Sequence, residues 1–190
     1  MKKYIISTFL LLFTFTSDIM LAQSSGGVNI DKKKTTFVDL YLGTQVSGIR
    51  KEDYVASNFA PFFQFSIGNW FTPYLALAVS YQGPYFNYIG DNVKHNYLYI
   101  DGAAIFDVNR LIDKEYNGLW SISLVGGSGY FHNYVYGRPN ICATAGIIAE
   151  LKLKNNFSLK CKLSNIMGWD IYQGDEDILT SISIGGSMRF

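Results

Sequence analysis

Outside its first residues the chain has no long apolar run. The longest, Tyr4 to Thr16, holds roughly 13 residues, whereas a spanning helix needs about 20. Together with a mean hydropathy of only +0.09, this excludes an ordinary helical membrane protein. Charge is sparse too: Asp, Glu, Lys and Arg make up 16% of the chain, where a soluble domain usually has about 25%. The formal net charge of +1 gives no reason to expect nucleic acid or an acidic surface as a partner. Two cysteines and two histidines form no metal-ligand cluster. Gly126-Gly127-Ser128-Gly129 lacks the Lys and the helix that would make it a phosphate loop. No cofactor is expected.

What the chain does have is aromatic residues and glycine: 14 Tyr, 14 Phe and 18 Gly. Moderate hydropathy with many aromatics is the composition of strands that alternate between lipid and a lumen. The N-terminus reads as a secretory signal. Lys2 and Lys3 precede the apolar run, and Ala22 stands at a plausible cleavage point. No Cys lies near that point, which argues against lipoprotein processing. Residues 1–22 are therefore expected to be a signal peptide and residues 23–34, polar and ending in Lys32-Lys33-Lys34, a flexible lead-in. Residues 35–190 would be the single folded domain, with no second domain at either end.

Eight strand-like runs follow: Thr35 to Ser47, Phe59 to Trp70, Pro73 to Gly83, His95 to Val108, Gly118 to Phe131, Asn140 to Leu153, Phe157 to Asn165 and Asp177 to Phe190. Successive side chains of a strand point to opposite faces. In the last run Ile178, Ile182, Ile184, Met188 and Phe190 share one face, and Leu179, Ser181, Ser183, Gly185 and Arg189 the other. In each run the apolar parity is free of Asp, Glu, Lys and Arg. The opposite parity carries Asp39, Asp101, Asp107, Glu150, Lys152, Lys160, Lys162 and Arg189. Periodicity does not say which face is outside, so a soluble β-sandwich or lipocalin-like barrel has the same alternation. A tally of four acids and four bases fits an enclosed, self-neutralised interior better than a solvated surface. A charge facing lipid at mid-bilayer would cost roughly 2–4 kcal/mol for Arg or Lys.

The connections agree. Asn69 to Thr72, the longer Asn109 to Asn117 and Lys154-Asn155-Asn156 lie on one side. Longer loops, Gly48 to Asn58, Pro84 to Lys94, His132 to Pro139 and Gly168 to Glu176, lie on the other. Short periplasmic turns and long outer loops are usual in such barrels. Asn109 to Asn117 breaks the asymmetry and is expected to carry a helical turn. Aromatics gather at both ends, as interfacial girdles do: Trp70, Phe71, Tyr74, Trp120, Phe157 and Phe190 at one, Tyr81, Tyr85, Phe86, Tyr130, Phe131 and Trp169 at the other.

With the signal, the eight alternating runs, the terminal Phe190 and the turn Gly68-Asn69-Trp70-Phe71-Thr72-Pro73, the chain resembles the small outer-membrane β-barrels related to the transmembrane domain of outer-membrane protein A. Tyr99-Ile100-Asp101, Phe106 to Leu111 and Gly126 to Tyr130 have a similar character. The resemblance covers Thr35 to Phe190. It implies outer-membrane lipid as the surroundings, and insertion by a barrel-assembly machine that reads the terminal aromatic strand at Phe190. The C-terminal peptidoglycan-binding domain of the larger members is not seen in this sequence, so a cell-wall tether is not expected.

An eight-stranded barrel is just wide enough for its side chains to fill, so a plugged lumen is expected. A three-residue loop at Lys154 to Asn156 sets Glu150 opposite Lys160 and Lys152 opposite Ser158. Glu150 is then expected to hold the lysines, and Asp39 is a weaker candidate partner for Arg189. The same register puts Cys161 opposite Ala149 and more than about 20 Å from Cys142, on the other face, so both thiols should be free. His95 and His132 fall near the outer end, with Asp91, Ser128 and Asp170 as conceivable neighbours. Their spacing matches no catalytic motif, and two interfacial histidines are the plainer expectation. Three readings remain: a structural or surface-interaction barrel, a rim enzyme acting on lipid, and a soluble exported barrel holding a hydrophobic ligand.

Overall fold

The computed structural model describes residues 35–48, 58–88, 93–153, 156–169, 171 and 176–190. The proposed signal peptide and lead-in, Asp91 and Asp170 lie outside them. The alternating runs form eight antiparallel strands: β1 Thr36–Ser47, β2 Ala60–Trp70, β3 Leu75–Tyr88, β4 Val93–Asp107, β5 Trp120–Asn133, β6 Arg138–Lys152, β7 Phe157–Trp169 and β8 Glu176–Arg189. Each pairs with the next in sequence, and β8 pairs back to β1, closing the barrel. At the seam Phe37 faces Arg189 and Ser47 faces Leu179. The Phe190 N–H adds one further bond, to the Thr36 carbonyl at 2.8 Å. Closure leaves no unpaired strand edge.

The structure settles which face is outside. Leu42, Phe65, Ile67, Leu124, Leu163 and Ile184 are exposed, while Asp39, Gln64, Asp101, Glu150, Lys160 and Lys162 are buried. A water-soluble barrel is sorted the other way, with its charges outside. Here the apolar parity of every strand forms the outer wall and the polar parity fills the lumen. Glu150 stands opposite Lys160 and Ala149 opposite Cys161. Both cysteines are free, Cys142 buried and Cys161 exposed.

Three features depart from the sequence reading. The strands at the long-loop end run further than the alternation suggests. β3 continues to Tyr88 and β7 to Trp169, because side chains there still alternate although the apolar signal fades. The β3–β4 ladder skips Gly83 and Pro84 and resumes at Tyr85 in unchanged register; proline has no N–H to give a ladder. Second, Phe86 and Phe131 are fully buried and Trp70 packs on the inner cluster. These three face the lumen and do not belong to the girdles, since each falls on its strand's inward parity. Third, Asp177 and His95 also point inward and are buried. Among the described residues the lumen thus holds five acids against four bases, before any charge on His95.

The Asn109–Asn117 connection opens with a helix, α1, Val108–Ile112. Asp107 caps it, its Oδ1 accepting from the Arg110 N–H at 3.1 Å, a role short acidic side chains fill well. The β2–β3 turn is closed by Thr72, whose Oγ1 accepts from the N–H of Leu75 at 2.9 Å.

Candidate functional site

Inward-facing residues build the lumen in layers. At the short-turn end are two ion pairs. Lys160 Nζ lies 2.9 and 2.8 Å from the two carboxylate oxygens of Asp39, and the Tyr41 hydroxyl donates to the same carboxylate at 3.2 Å. One Arg189 guanidinium nitrogen spans both oxygens of Glu150 at 2.8 and 3.1 Å. Aromatic faces complete the layer: Lys160 Nζ sits 4.9 Å from the Phe37 ring centre, and the Arg189 guanidinium 5.5 Å from that of Trp70. Such contacts stabilise a desolvated cation.

The hydrogen-bonded partners differ from those read from the sequence. Glu150 and Lys160 do sit opposite one another, and the Lys160 and Lys152 charges act on Glu150, but the hydrogen-bonded partner of Glu150 is Arg189, and that of Lys160 is Asp39. The cause is the strand between β7 and β1. On β8 the residue facing Lys160 is Gly185, which in turn faces Tyr41. With no side chain at Gly185, Lys160 can pass over β8 to β1. A Cβ there would strike the Leu40 carbonyl and the Tyr41 ring.

The middle layer is neutral hydrogen bonding around single charges. Lys162 Nζ donates to Gln64 Oε1 at 3.0 Å. The Ser80 and Thr144 hydroxyls bond the Asp101 carboxylate, with the Lys162 charge nearby. The Tyr99 hydroxyl meets Thr144 Oγ1 at 2.6 Å. Gly129 stands directly across from Asp101, and a Cβ at Gly129 would collide with the Asp101 backbone and Cβ.

The long-loop end is closed by aromatic packing. Phe86, Tyr97, Tyr99 and Phe131 are buried together with Cys142, Ile166, Ile171 and Leu179. Tyr97 stacks on Phe131 at 5.0 Å and meets Phe86 edge-on at 5.6 Å. Its hydroxyl donates to Gln45 Oε1 at 3.0 Å and accepts from Gln82 Nε2 at 3.2 Å. Above this plug Asn133 Nδ2 lies 3.0 Å from His95 Nδ1 and donates to the Ile171 carbonyl at 3.0 Å.

The remaining sequence candidates scatter. Lys152 lies at the inner mouth, its Nζ donating to the Gly118 carbonyl at 3.1 Å. Asp107 serves α1 and lies 3.7 Å from Arg110 Nε. Phe190 is exposed beside Met188 at the barrel's lower rim. His95 faces the lumen, whereas His132 lies on the outer face between Tyr130 and Tyr134, at ring distances of 6.2 and 4.7 Å. Ser128, on the outer parity with His132, is four residues away along β5, roughly 13 Å at strand rise. The wall separates the two histidines, and no nucleophile–base–acid set converges among His95, His132 and Ser128.

A closed wall of eight antiparallel strands, apolar outside and charged within, defines the fold class: a transmembrane-type β-barrel of the small outer-membrane kind. The comparison with solved structures agrees. Neisserial surface protein A superposes with a TM-score of 0.56 at 14% identity, covering 82% of this chain and 97% of that one. At that identity the likeness shows the fold alone. The outer membrane enzyme PagL (TM-score 0.49, 12% identity, 80% of this chain and 99% of that one) also aligns. So does Ail, the attachment invasion locus protein of Yersinia pestis (0.48, 14%, 82% and 99%). Neither carries argument at these scores. No protein-family model matches the chain, and no curated protein matches it in sequence.

Proposed function

We propose that this protein is an integral barrel of a bacterial outer membrane, exported on a cleaved signal peptide, with a plugged lumen and a structural or surface-interaction role. The observation that carries the reading is the inversion of the wall. Leu42 is 67% exposed and Ile184 69%, while Lys160 and Lys162 inside are 5% exposed. In water this arrangement exposes apolar side chains and buries ions, at a cost on both counts. In lipid the outer wall is solvated by acyl chains and only the interior needs internal pairing. Exposed Trp120, Phe157 and Phe190 at one rim and Tyr130 and Trp169 towards the other are consistent with the two interfaces.

The lumen argues against carriage of a hydrophobic ligand, which needs an apolar interior. An enzyme acting on lipid at the rim finds no support in the positions of His95, His132 and Ser128. Insertion would pass through a barrel-assembly machine reading Phe190, and any partner would meet the outer loops, where Tyr134, Val135 and Tyr136 are exposed. The test is electrophoresis of membrane-extracted protein with and without boiling, together with removal of detergent. A closed barrel migrates differently before and after boiling and precipitates without detergent. A chain that stays soluble and monomeric in plain buffer overturns the reading.

A further inference from the structure

We infer that α1 and the segment returning to β5 lie in the inner leaflet, with Leu111, Ile112 and Leu119 immersed at the boundary of lipid headgroups and acyl chains. The inference rests on the membrane reading above and extends it to a connection that looks, from sequence, like a periplasmic loop.

Height along the barrel places the connection. β4 ends at Asp107, which faces Ser123 of β5. β5 starts three residues lower, at Trp120. Below Asp107 the β4 ladder cannot supply the next acceptor for β5. Asn109 of α1 supplies it, its Oδ1 accepting from the Ile122 N–H at 2.7 Å. The returning chain is tied at the same level, the Tyr116 hydroxyl donating to the Trp120 carbonyl at 2.6 Å. The connection is therefore held at the height of Trp120 and Ile122, whose side chains are on the outward wall and exposed; its Tyr116–Gly118 stretch also meets Lys152 at the inner mouth.

At that height the connection presents apolar groups without a protein partner among the described residues. Ile112 is 83% exposed, Leu119 68% and Leu111 55%. Of the segment's charges, Arg110 Nη1 donates to the Pro73 carbonyl at 3.2 Å and Asp107 caps the helix, while Asp113, Lys114 and Glu115 are exposed at the far turn of the connection, the part that would face water. The apolar wall of β5 is thus continued sideways by α1. The occupant that fits this continuity is the lipid already bathing Trp120 and Ile122. A helix face buried about 5–10 Å into the headgroup region is the usual interfacial arrangement.

The test uses the full chain with Cys161→Ser, leaving only the buried Cys142. Single cysteines are introduced by Ile112→Cys, Leu119→Cys, Leu124→Cys and Glu115→Cys, and each is labelled with bimane. The labelled barrels are reconstituted in phospholipid vesicles carrying nitroxides near the headgroup or at the chain end. The label at position 112 should be quenched roughly twofold more by the shallow nitroxide than by the deep one, as a group at that depth would be. Position 119 should behave alike. Position 124, the next outward residue above Ile122 on β5, should answer relatively more to the deep nitroxide than 112 does, and 115 to neither. Quenching at 124 with none at 112 and 119 overturns the inference and leaves the membrane reading standing. Loss of quenching at 124 as well overturns both.

Discussion

The two ends of the lumen solve the same packing problem with opposite chemistry. At the short-turn end, ions fill the space: Asp39 with Lys160 and Glu150 with Arg189. At the long-loop end, rings fill most of it: Phe86, Tyr97, Tyr99 and Phe131, with hydrogen bonds in the Tyr97–Gln45–Gln82 cluster, between Tyr99 and Thr144 and from Asn133, and with Asp177 as a buried acid. The difference is in what each end tolerates losing. A buried ion pair contributes little against a well-packed apolar alternative, yet removing one partner strands a charge. A ring contributes through contact area, and its loss leaves a space but no unpaired charge. The ionic end should be brittle to single changes and forgiving of paired ones. The aromatic end should respond in proportion to what is removed.

The largest effect is expected from Asp39→Ala. It leaves Lys160 buried against the Phe37 ring without the carboxylate that it hydrogen-bonds, with only Glu150 across the ladder as a nearby acid, and should destabilise the barrel by about 3–5 kcal/mol. The readout is the urea midpoint of refolding into detergent micelles or vesicles. The double change Asp39→Leu with Lys160→Met should recover most of that loss. If the two single changes simply add in the double, the charges do not act as a pair and the contrast between the two ends fails. Breaking the Glu150–Arg189 pair should cost less, because the Arg189 side chain keeps 19% of its exposure and can be partly solvated at the inner mouth.

Tyr97→Phe sharpens the comparison from the other end. It keeps the ring that stacks on Phe131 and removes only the hydroxyl. Gln45 and Gln82 lose one partner, but Gln82 Nε2 still donates to Gln45 Oε1 at 3.0 Å, and Gln45 Nε2 to the Tyr85 carbonyl at 2.5 Å. The expected loss is about 1–2 kcal/mol, near the lower part of the range for a buried group left unsatisfied. A loss as large as that of Asp39→Ala would mean that the plug depends on its polar cluster and not on ring packing.

The strands behind this contrast are legible in the sequence, though the contrast is not. Alternation identified the eight strands and their faces, and the Lys154 to Asn156 loop predicted the Glu150–Lys160 register, because both are local properties of one or two adjacent strands. The partner of each ion was not legible. Asp39 and Lys160 are 121 residues apart and meet across β8, which requires knowing how the seam closes and that Gly185 leaves the way open. The aromatic end was misread for a different reason. Phe86, Phe131 and Trp70 stand near strand ends, where both a girdle and a plug place aromatics; only parity carried past the apparent strand end separates them. Asp177, as the first residue of its run, gives no alternation of its own, and His95 shares its height with His132 although the wall divides them.

The smallest effect tests whether enclosed, hydrogen-bonded contact, and not the mere nearness of opposite charges, makes the ionic end brittle. Arg110 and Asp107 are also oppositely charged, three residues apart, at 3.7 Å. The arginine side chain is 21% exposed and Asp107 3%, much as in the Glu150–Arg189 pair, but 3.7 Å is beyond hydrogen-bond reach, and Asp107 has a second partner in the Arg110 backbone N–H. Arg110→Ala removes the guanidinium and its contact with the Pro73 carbonyl but keeps the cap. A partly solvated pair of this kind contributes about 0–1 kcal/mol, and alanine is itself a good helix former. The refolding midpoint should therefore barely move, and added salt should not widen the gap between variant and parent. If Arg110→Ala costs as much as Asp39→Ala, proximity of opposite charges governs stability wherever it occurs, and the lumen's short-turn end loses its special standing. If the cost stays small, two oppositely charged pairs on one barrel have been compared, one in direct hydrogen-bonded contact and enclosed and one not, and the difference between them is what contact and enclosure together contribute.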